Sequence, residues 1–526
     1  MRVPSVTRYA PRAMVSTVDH LATEAGLEML RRGGNAVDAA LAANAVITVT
    51  LPNQCGLGGD LFALVRQSGE APVVLNASGR SGSGADPDSL RAEGLADLPH
   101  RHDVRSATIP GCVDGWVALH ERYSRLSLEE ILEPAIRYAL DGFPASPYLV
   151  RAVPNLEPST ALEELAPGGA VRAGQMIRRP GAGRLLSGVA TAGRSAFYEG
   201  EFGQGLVALG CGLFAEEDLR QPQADWVTPA SLRVWGHDLW TPPPNSQGYL
   251  ALSAAWIAER LDLPSDPDDP LWAHLLIEAA RHAAYDRPEV LHADADARQL
   301  LAPSRLLPRV ANISRHGVAD LADRYGEGGT TYLCVVDESG MAVSLIQSNG
   351  MSFGSRLTVG QTGVWLHNRG FAFSLVEGHP AEYGPQRRPP HTLSPILITK
   401  PDGDLFAALG TRGGDSQPQI MLQLITRLLM AEQDPATALA AGRWVLRGAA
   451  DESAFNTWGY RGSVRVALEG QAPTNWADAL TGLGHRVERE AAFGHAFGHA
   501  QIIVAEHGRL AGAADPRALA ESAAGF

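Results

Sequence analysis

Thr330 is the residue of this chain best suited to covalent chemistry. It lies in Gly328-Gly329-Thr330-Thr331-Tyr332-Leu333-Cys334-Val335-Val336-Asp337, where two glycines run into a threonine pair and an apolar, β-branched strand follows. A threonine hydroxyl is a poor nucleophile without a base beside it, and a cut just before the threonine turns its own α-amine into that base. Gly328-Gly329 suits such a cut, because glycines tolerate the strained backbone of an N-to-O acyl shift. An ordinary glycine turn entering a buried strand would read the same way from this stretch alone.

The next residues favour the chemical reading. After the turn Asp337-Glu338-Ser339-Gly340, the apolar run Met341–Ile346 reads as the hairpin partner of the first strand and leads into Gln347-Ser348-Asn349-Gly350-Met351-Ser352. Hairpin pairing returns the end of the second strand to the start of the first, which predicts Ser348 and Asn349 beside Thr330. Here the sequence resembles the γ-glutamyltransferase family of N-terminal-nucleophile hydrolases, whose small subunit opens with a Thr-Thr pair. The resemblance covers nearly the whole chain. Gly33-Gly34-Asn35-Ala36-Val37-Asp38-Ala39-Ala40 with Gly56-Leu57-Gly58-Gly59 is similar to the opening of the family's large subunit.

The elements that must position Thr330 come from both sides of it. Met14–Thr17 reads as a short strand, followed by helices over 21–32 and 35–48, the first stopped by Gly33-Gly34. Gly56–Gly59 forms a turn into a strand; its order, helix then glycines then strand, argues against dinucleotide binding. Ser127 and Glu130 have capping-box spacing ahead of a helix reaching Gly142. Residues 154–248 read as irregular with helix-like pieces. Gly363–Ser374 reads as a strand and turn, and Leu405–Gly410 as a strand that turns through Thr411-Arg412-Gly413-Gly414-Asp415 into a helix over 417–430. Strand, Gly-Gly, helix presents backbone N–H groups in a concavity suited to an oxyanion.

The resemblance implies specific roles. Thr330 becomes the nucleophile after self-cleavage between Gly329 and Thr330, Ser348 activates it with Asn349 beside it, and Gly413 and Gly414 form the oxyanion hole. Arg80, at the mouth of the strand Val73–Asn76, matches the arginine that binds the substrate's α-carboxylate. By itself it would pass for a solvated loop arginine. The implied fold is an α/β chain, the four-layer αββα sandwich, with residues 1–329 as large subunit and 330–526 as small subunit, together one globular unit. A dimer of these is left open.

Several positions depart from the family. The acid that binds the substrate α-amine is matched by Ala372 within His367-Asn368-Arg369-Gly370-Phe371-Ala372, and Arg369 replaces a residue that is not basic. The family's serine pair becomes His391-Thr392, and Arg412 stands where a proline is usual. A pocket with Arg80 and Arg369 but no acid holds a carboxylate well and an ammonium poorly. Arg369, His391 and Thr392 are therefore expected, with Arg80 and Asn349, to bind substrate. The expected activity is cleavage of an amide of a small carboxylate-bearing acyl group, as in glutaryl-cephalosporin acylases or oxamate amidohydrolases. Standard γ-glutamyl transfer or glutathione hydrolysis is the alternative on the same scaffold; a binding protein without chemistry is the alternative of another class.

Composition limits the partners. The chain has 526 residues, 45% of them hydrophobic, and a formal net charge of -14 without a basic run, which argues against nucleic acid. Cys55, Cys112, Cys211 and Cys334 lack metal or redox spacing and read as buried free thiols. His274, Glu278, Arg281, His282 and Asp286 at helical spacing read as a salt-bridged helix face rather than a metal site, and His495 with His499 as a glycine-spaced turn. No metal or cofactor is expected. Met1–Arg12 lacks an apolar core and no later run is long enough to cross a membrane, which predicts a cytoplasmic protein.

Overall fold

The computed structural model describes residues 6–448 and 464–526 apart from 158, 323, 324, 326 and 327. Two seven-stranded sheets dominate it, and every pairing within both is antiparallel. The first runs in the order Ser522–Gly525, Met14–Thr17, Gly329–Val336, Ala342–Gly350, Asp60–Arg66, Val73–Ala77, Asp225–Val227. The second runs Arg8–Ala10, Arg509–Ala514, Ala500–Glu506, Leu405–Thr411, Ile396–Thr399, His237–Thr241, Ala230–Val234. The fold is mixed α/β.

Side-chain alternation along the strands sorts the apolar residues into three cores. Phe62, Leu64, Tyr332, Cys334 and Ile346 of the first sheet meet Leu397, Ala408 and Ile503 of the second. The other faces of the first sheet, with Leu61, Ala63, Leu333, Val335 and Leu345, pack on the alanine-rich helix Ala36–Thr50. The second sheet turns Ile398, Ala407, Leu409 and Ile502 toward helices Tyr249–Ala258, Pro270–Ala284 and Gln417–Leu429. All of Ala36–Thr50 is buried, and its start is secured by a capping box between Asn35 and Asp38, a device that stabilises a helix by about 1 kcal/mol. The Ser127–Glu130 capping box forms as its spacing predicts, opening Leu128–Asp141.

Other expectations are corrected. Gly363–Ser374 is not a strand: it carries two isolated bridges, Thr358 to Trp365 and Ser374 to Glu382, and a 3-10 turn at Arg369–Ala372. Its amides donate one at a time to separate neighbours, Leu366 to Leu357 and His367 to Gly58, so no ladder forms. Residues 154–248 are far more regular than expected, with helices including Pro180–Ala192, Arg194–Tyr198 and Glu201–Gly210. Cys211 is exposed, unlike the other three cysteines, because it ends the last of these helices in a left-handed conformation at φ 47°. The polar set on Pro270–Ala284 is salt-bridged as expected, through Glu278 and Arg281, and it is buried, with His274 meeting His485 at 2.8 Å. Part of the stretch ahead of the glycines, including Glu327, lies outside the described residues. Among the described residues no helix is long and apolar enough to cross a membrane.

Candidate active site

Thr330 is the second residue of the third strand of the first sheet, joined to Gly329 and buried. The hairpin register pairs Gly329 with Gly350 and Thr331 with Gln347, so Ser348 and Asn349 together oppose Thr330. Such a bulge turns successive side chains in directions a regular ladder would not. Ser348 takes the side of Thr330, with its hydroxyl 3.3 Å from Thr330 Oγ1. Asn349 turns away: its Nδ2 donates to Pro52 O at 3.1 Å, and its buried Oδ1 has no partner.

The bond between Gly329 and Thr330 is held at several points. Thr330 Oγ1 donates to Gly329 O at 2.7 Å, and Ser348 Oγ donates to the same oxygen at 2.5 Å. With its only proton committed there, Ser348 Oγ accepts from the Gly350 amide at 2.8 Å and from Arg369 Nη2 at 3.1 Å. A hydroxyl that donates to a carbonyl while accepting from a guanidinium is a polarised donor, and it draws electron density from the carbonyl. The Thr330 amide donates to Gln54 Oε1 at 3.1 Å. Gln54, which sequence reasoning missed, is brought here by the Gly56–Gly59 turn. A Cβ on Gly59 would lie 2.5 Å from Ser348 O, so only glycine lets this turn press against the hairpin.

Arg369 is the strongest electrostatic feature. It is 1% exposed, yet its guanidinium contacts two hydroxyls and no carboxylate among the described residues: Nη2 reaches Ser348 and Nη1 reaches Thr392 Oγ1 at 3.1 Å. Its Nε is buried without a partner. Burial pulls the group down to about 10, with Asp60 and Asp415 opposing from further off. His391 lies behind it. The His391 Nδ1 accepts from the Leu393 amide, and Nε2 donates to Asp60 Oδ2 at 3.1 Å. Burial and the nearby Arg369 charge push His391 down to about 3, so it is neutral at pH 7. For Asp60 burial pushes upward, but His367, His391 and the Gly79 amide outweigh it and hold the carboxyl at about 2. Asp60, also missed, carried no signal except its place directly after the glycine turn.

The Gly413-Gly414 corner stands one side chain from Thr392. Gln247 Nε2 donates to both Thr392 O and Gly414 O, and buried Arg287 clamps Asp415 with two hydrogen bonds at 2.5 and 2.7 Å. Gly413 has φ 141°, a conformation that a side chain would strain. No described hydrogen bond joins the corner to Thr330. Arg80 is set apart as well: its guanidinium donates to Asp225 Oδ2 at 2.6 Å and to Pro222 O at 3.2 Å, and Arg388 shares that carboxylate. The structure thus gathers Thr330, Ser348, Arg369 and Thr392, with His391 behind them, and leaves the side chains of Arg80 and Asn349 outside the cluster.

Comparison with known proteins identifies the family. Residues 22–525 match the family model described as Gamma-glutamyltranspeptidase. The chain is 36% identical over 524 residues to the glutathione hydrolase-like YwrD proenzyme of Bacillus subtilis, covering 96% of this chain and 97% of that one. It is 34% identical to the oxamate amidohydrolase proenzyme of Klebsiella pneumoniae, covering 95% and 96%. Among solved structures, the cephalosporin acylase from Bacillus halodurans superposes with a TM-score of 0.90 at 32% identity, over 100% of this chain and 97% of that one. A match over nearly the whole length, on a fold that places a threonine-led hairpin at its centre, makes this chain an enzyme of the gamma-glutamyltranspeptidase family.

Proposed function

We propose that the chain is a precursor that cuts itself between Gly329 and Thr330 and then hydrolyses an amide of a small, carboxylate-bearing acyl group. The single observation that carries this reading is the buried Arg369, one hydroxyl away from Thr330 and without a carboxylate of its own. A buried cation without a counter-charge is costly and serves as a preformed anion site. Its short distance from the nucleophile suits an acyl group whose carboxylate adjoins the reacting carbonyl, as in an oxamate. A glutaryl chain would have to fold back, and a γ-glutamyl group would bring an ammonium toward Arg369 with Ala372 in place of an acid.

In the first step Thr330 Oγ1 attacks the Gly329 carbonyl, whose oxygen is polarised by Ser348. The peptide C–N bond breaks, its nitrogen takes the proton of Oγ1 and becomes the neutral α-amine of Thr330, and water hydrolyses the resulting ester. This yields a large subunit of residues 1–329 and a small subunit of 330–526. In the mature enzyme the freed amine, held by Gln54, takes the proton of Thr330 Oγ1 as it attacks the substrate carbonyl. The amides of Gly413 and Gly414 stabilise the oxyanion, the leaving amine departs, and water resolves the threonyl ester. Arg80 contributes to substrate capture from the rim. The two sheets with a core between them, and a helix-lined core on each outer face, support the four-layer αββα arrangement.

Denaturing electrophoresis with N-terminal sequencing, followed by a panel of oxamate, glutaryl and γ-glutamyl amides, tests this. Two bands are expected, the smaller starting at Thr330, with a single inactive band for Thr330→Ala. A Thr330→Ala protein that still splits at this bond, or a wild type that strongly prefers γ-glutamyl amides, would overturn the respective half.

A further inference from the structure

Arg412 touches the chain just ahead of the Gly329–Thr330 bond. Its Nη2 donates to Gly328 O at 3.0 Å, while Nη1 donates to His495 O at 3.1 Å and to Tyr148 Oη at 3.2 Å. The side chain is 7% exposed, its Nε is buried without a partner, and it forms no ion pair among the described residues. All of its described acceptors are neutral. Two of them, His495 O and Tyr148 Oη, lie outside the segment to be cut and fix the guanidinium from behind. Tyr148 also packs edge-on against His499, which burial keeps neutral. A narrow cavity of about 10 Å³ lies beside it, lined by Gln54, Tyr148, Thr330 and His499.

We propose that Arg412 is a maturation residue with two successive partners. In the precursor it holds the Gly328 carbonyl and thereby fixes the peptide plane of Gly329, so that the Gly329 carbonyl stays between Thr330 Oγ1 and Ser348 Oγ. After the cut it receives the carboxylate newly formed on Gly329, the residue next to the one it already grips. Ester hydrolysis supplies that carboxylate: water adds to the Gly329 carbonyl carbon, the bond to Thr330 Oγ1 breaks, and the proton of the acid is released. A neutral carbonyl is thus exchanged for an anion in front of a desolvated guanidinium, and the bond becomes a charge-assisted one. The tail of the large subunit is then the first product the site binds, and it must leave before an outside substrate enters. Arg412 acts on cleavage through Gly328 and is a positioning residue in that step.

The inference rests on the self-cleavage reading, and the experiment separates the two. Processing is followed by gel over time for wild type, Arg412→Lys and Arg412→Ala, with and without low millimolar methylguanidinium. Arg412→Ala should cut about ten- to a hundredfold more slowly, the factor of one hydrogen bond to a charged group. Arg412→Lys should lie between, and methylguanidinium should restore part of the alanine variant's rate, a rescue that a purely structural role would not show. Melting of the uncut Thr330→Ala chain with and without Arg412→Ala reports whether the fold itself is kept. Processed wild type is then inhibited with the peptide Tyr-Gly-Glu-Gly-Gly as free acid and as C-terminal amide, and the acid should be at least tenfold more potent. Arg412→Ala cutting at the wild-type rate, or slow cutting without rescue, overturns the positioning role; equal potency of acid and amide overturns the carboxylate site. A wild type that never cuts counts against the self-cleavage reading instead.

Discussion

Replacing Arg369 with methionine should cost the fold at most about 3 kcal/mol while removing most of the activity. Burial pulls this guanidinium down to about 10. A cation whose affinity for its proton is lower in the folded state destabilises that state at any pH below both values. The penalty is therefore fully present at pH 7 and fades only as the pH rises past about 10. At 1.36 kcal/mol per pH unit the depression amounts to about 3 kcal/mol. Methionine relieves that cost and fills much of the same volume, but it forfeits hydrogen bonds from a charged group to Ser348 and Thr392 worth about 1.5–3 kcal/mol each. The two terms partly offset, which places the variant between level with wild type and about 3 kcal/mol less stable. Activity has no such compensation. A substrate carboxylate that loses its charged partner loses about 2–5 kcal/mol, or roughly thirty- to several thousandfold in kcat/KM. The assay pairs a thermal midpoint at pH 7 with kcat/KM for an oxamate amide, scored on the processed fraction because Arg369 also supports Ser348. A variant that melts many degrees lower yet keeps wild-type kcat/KM would show that Arg369 serves the fold and not the substrate.

Ala372→Asp should shift preference toward γ-glutamyl amides by supplying an acid for the substrate ammonium; a ratio of specificity constants unchanged between the two proteins refutes the placement. Arg80→Lys should leave the gel pattern intact and raise KM by about tenfold, since lysine keeps the charge but loses the fork; unchanged kinetics would reduce Arg80 to a partner of Asp225. Acid should destabilise the protein through His391, which is held neutral down to about 3. The unfolded chain takes up that proton near pH 6.5, so stability is full above that value and falls as the pH drops toward 3. Asp60, held at about 2, adds a loss below its ordinary range. His391→Gln should flatten the fall in thermal midpoint between pH 7 and 5, and an identical fall in both proteins refutes this.

The centre of the site was legible because it is local. A turn at Asp337–Gly340 between two apolar runs specifies a hairpin, and a hairpin brings its two ends together, which located Ser348 beside Thr330. The bulge that separates Ser348 from Asn349 has no such local signature, and so Asn349 was expected where its side chain does not point. Gln54, Asp60 and Arg412 are distant in sequence and reach the site through tertiary packing alone. Val364-Trp365-Leu366 has the composition of a strand, and composition does not disclose that the Val364 amide goes to Thr362 Oγ1 and the Leu366 amide to Leu357 O instead of both joining a regular ladder. Arg80 sits at the predicted strand mouth, but the acid that occupies its guanidinium, Asp225, arrives from a strand whose pairing the sequence did not reveal.

The interleaving of strands from the two sides of Thr330 bears on how an enzyme cut there, as proposed, would persist. In the first sheet Met14–Thr17 lies between Ser522–Gly525 and Gly329–Val336, and Asp60–Arg66 pairs with Ala342–Gly350. In the second, Arg8–Ala10 closes one edge against Arg509–Ala514, and His237–Thr241 pairs with Ile396–Thr399. A cut at Thr330 severs one covalent link but none of these ladders, so neither piece retains a complete sheet by itself. The pieces are assembled while still one chain, when loop closure is intramolecular. After the cut, refolding would require two incomplete chains to find each other at their working concentration. The native state of the cleaved enzyme is then guarded by its rate of unfolding rather than by an equilibrium it can return to. The proposed cut would make folding a one-way event, and a heated sample should regain activity on cooling only if it was heated before it was cut.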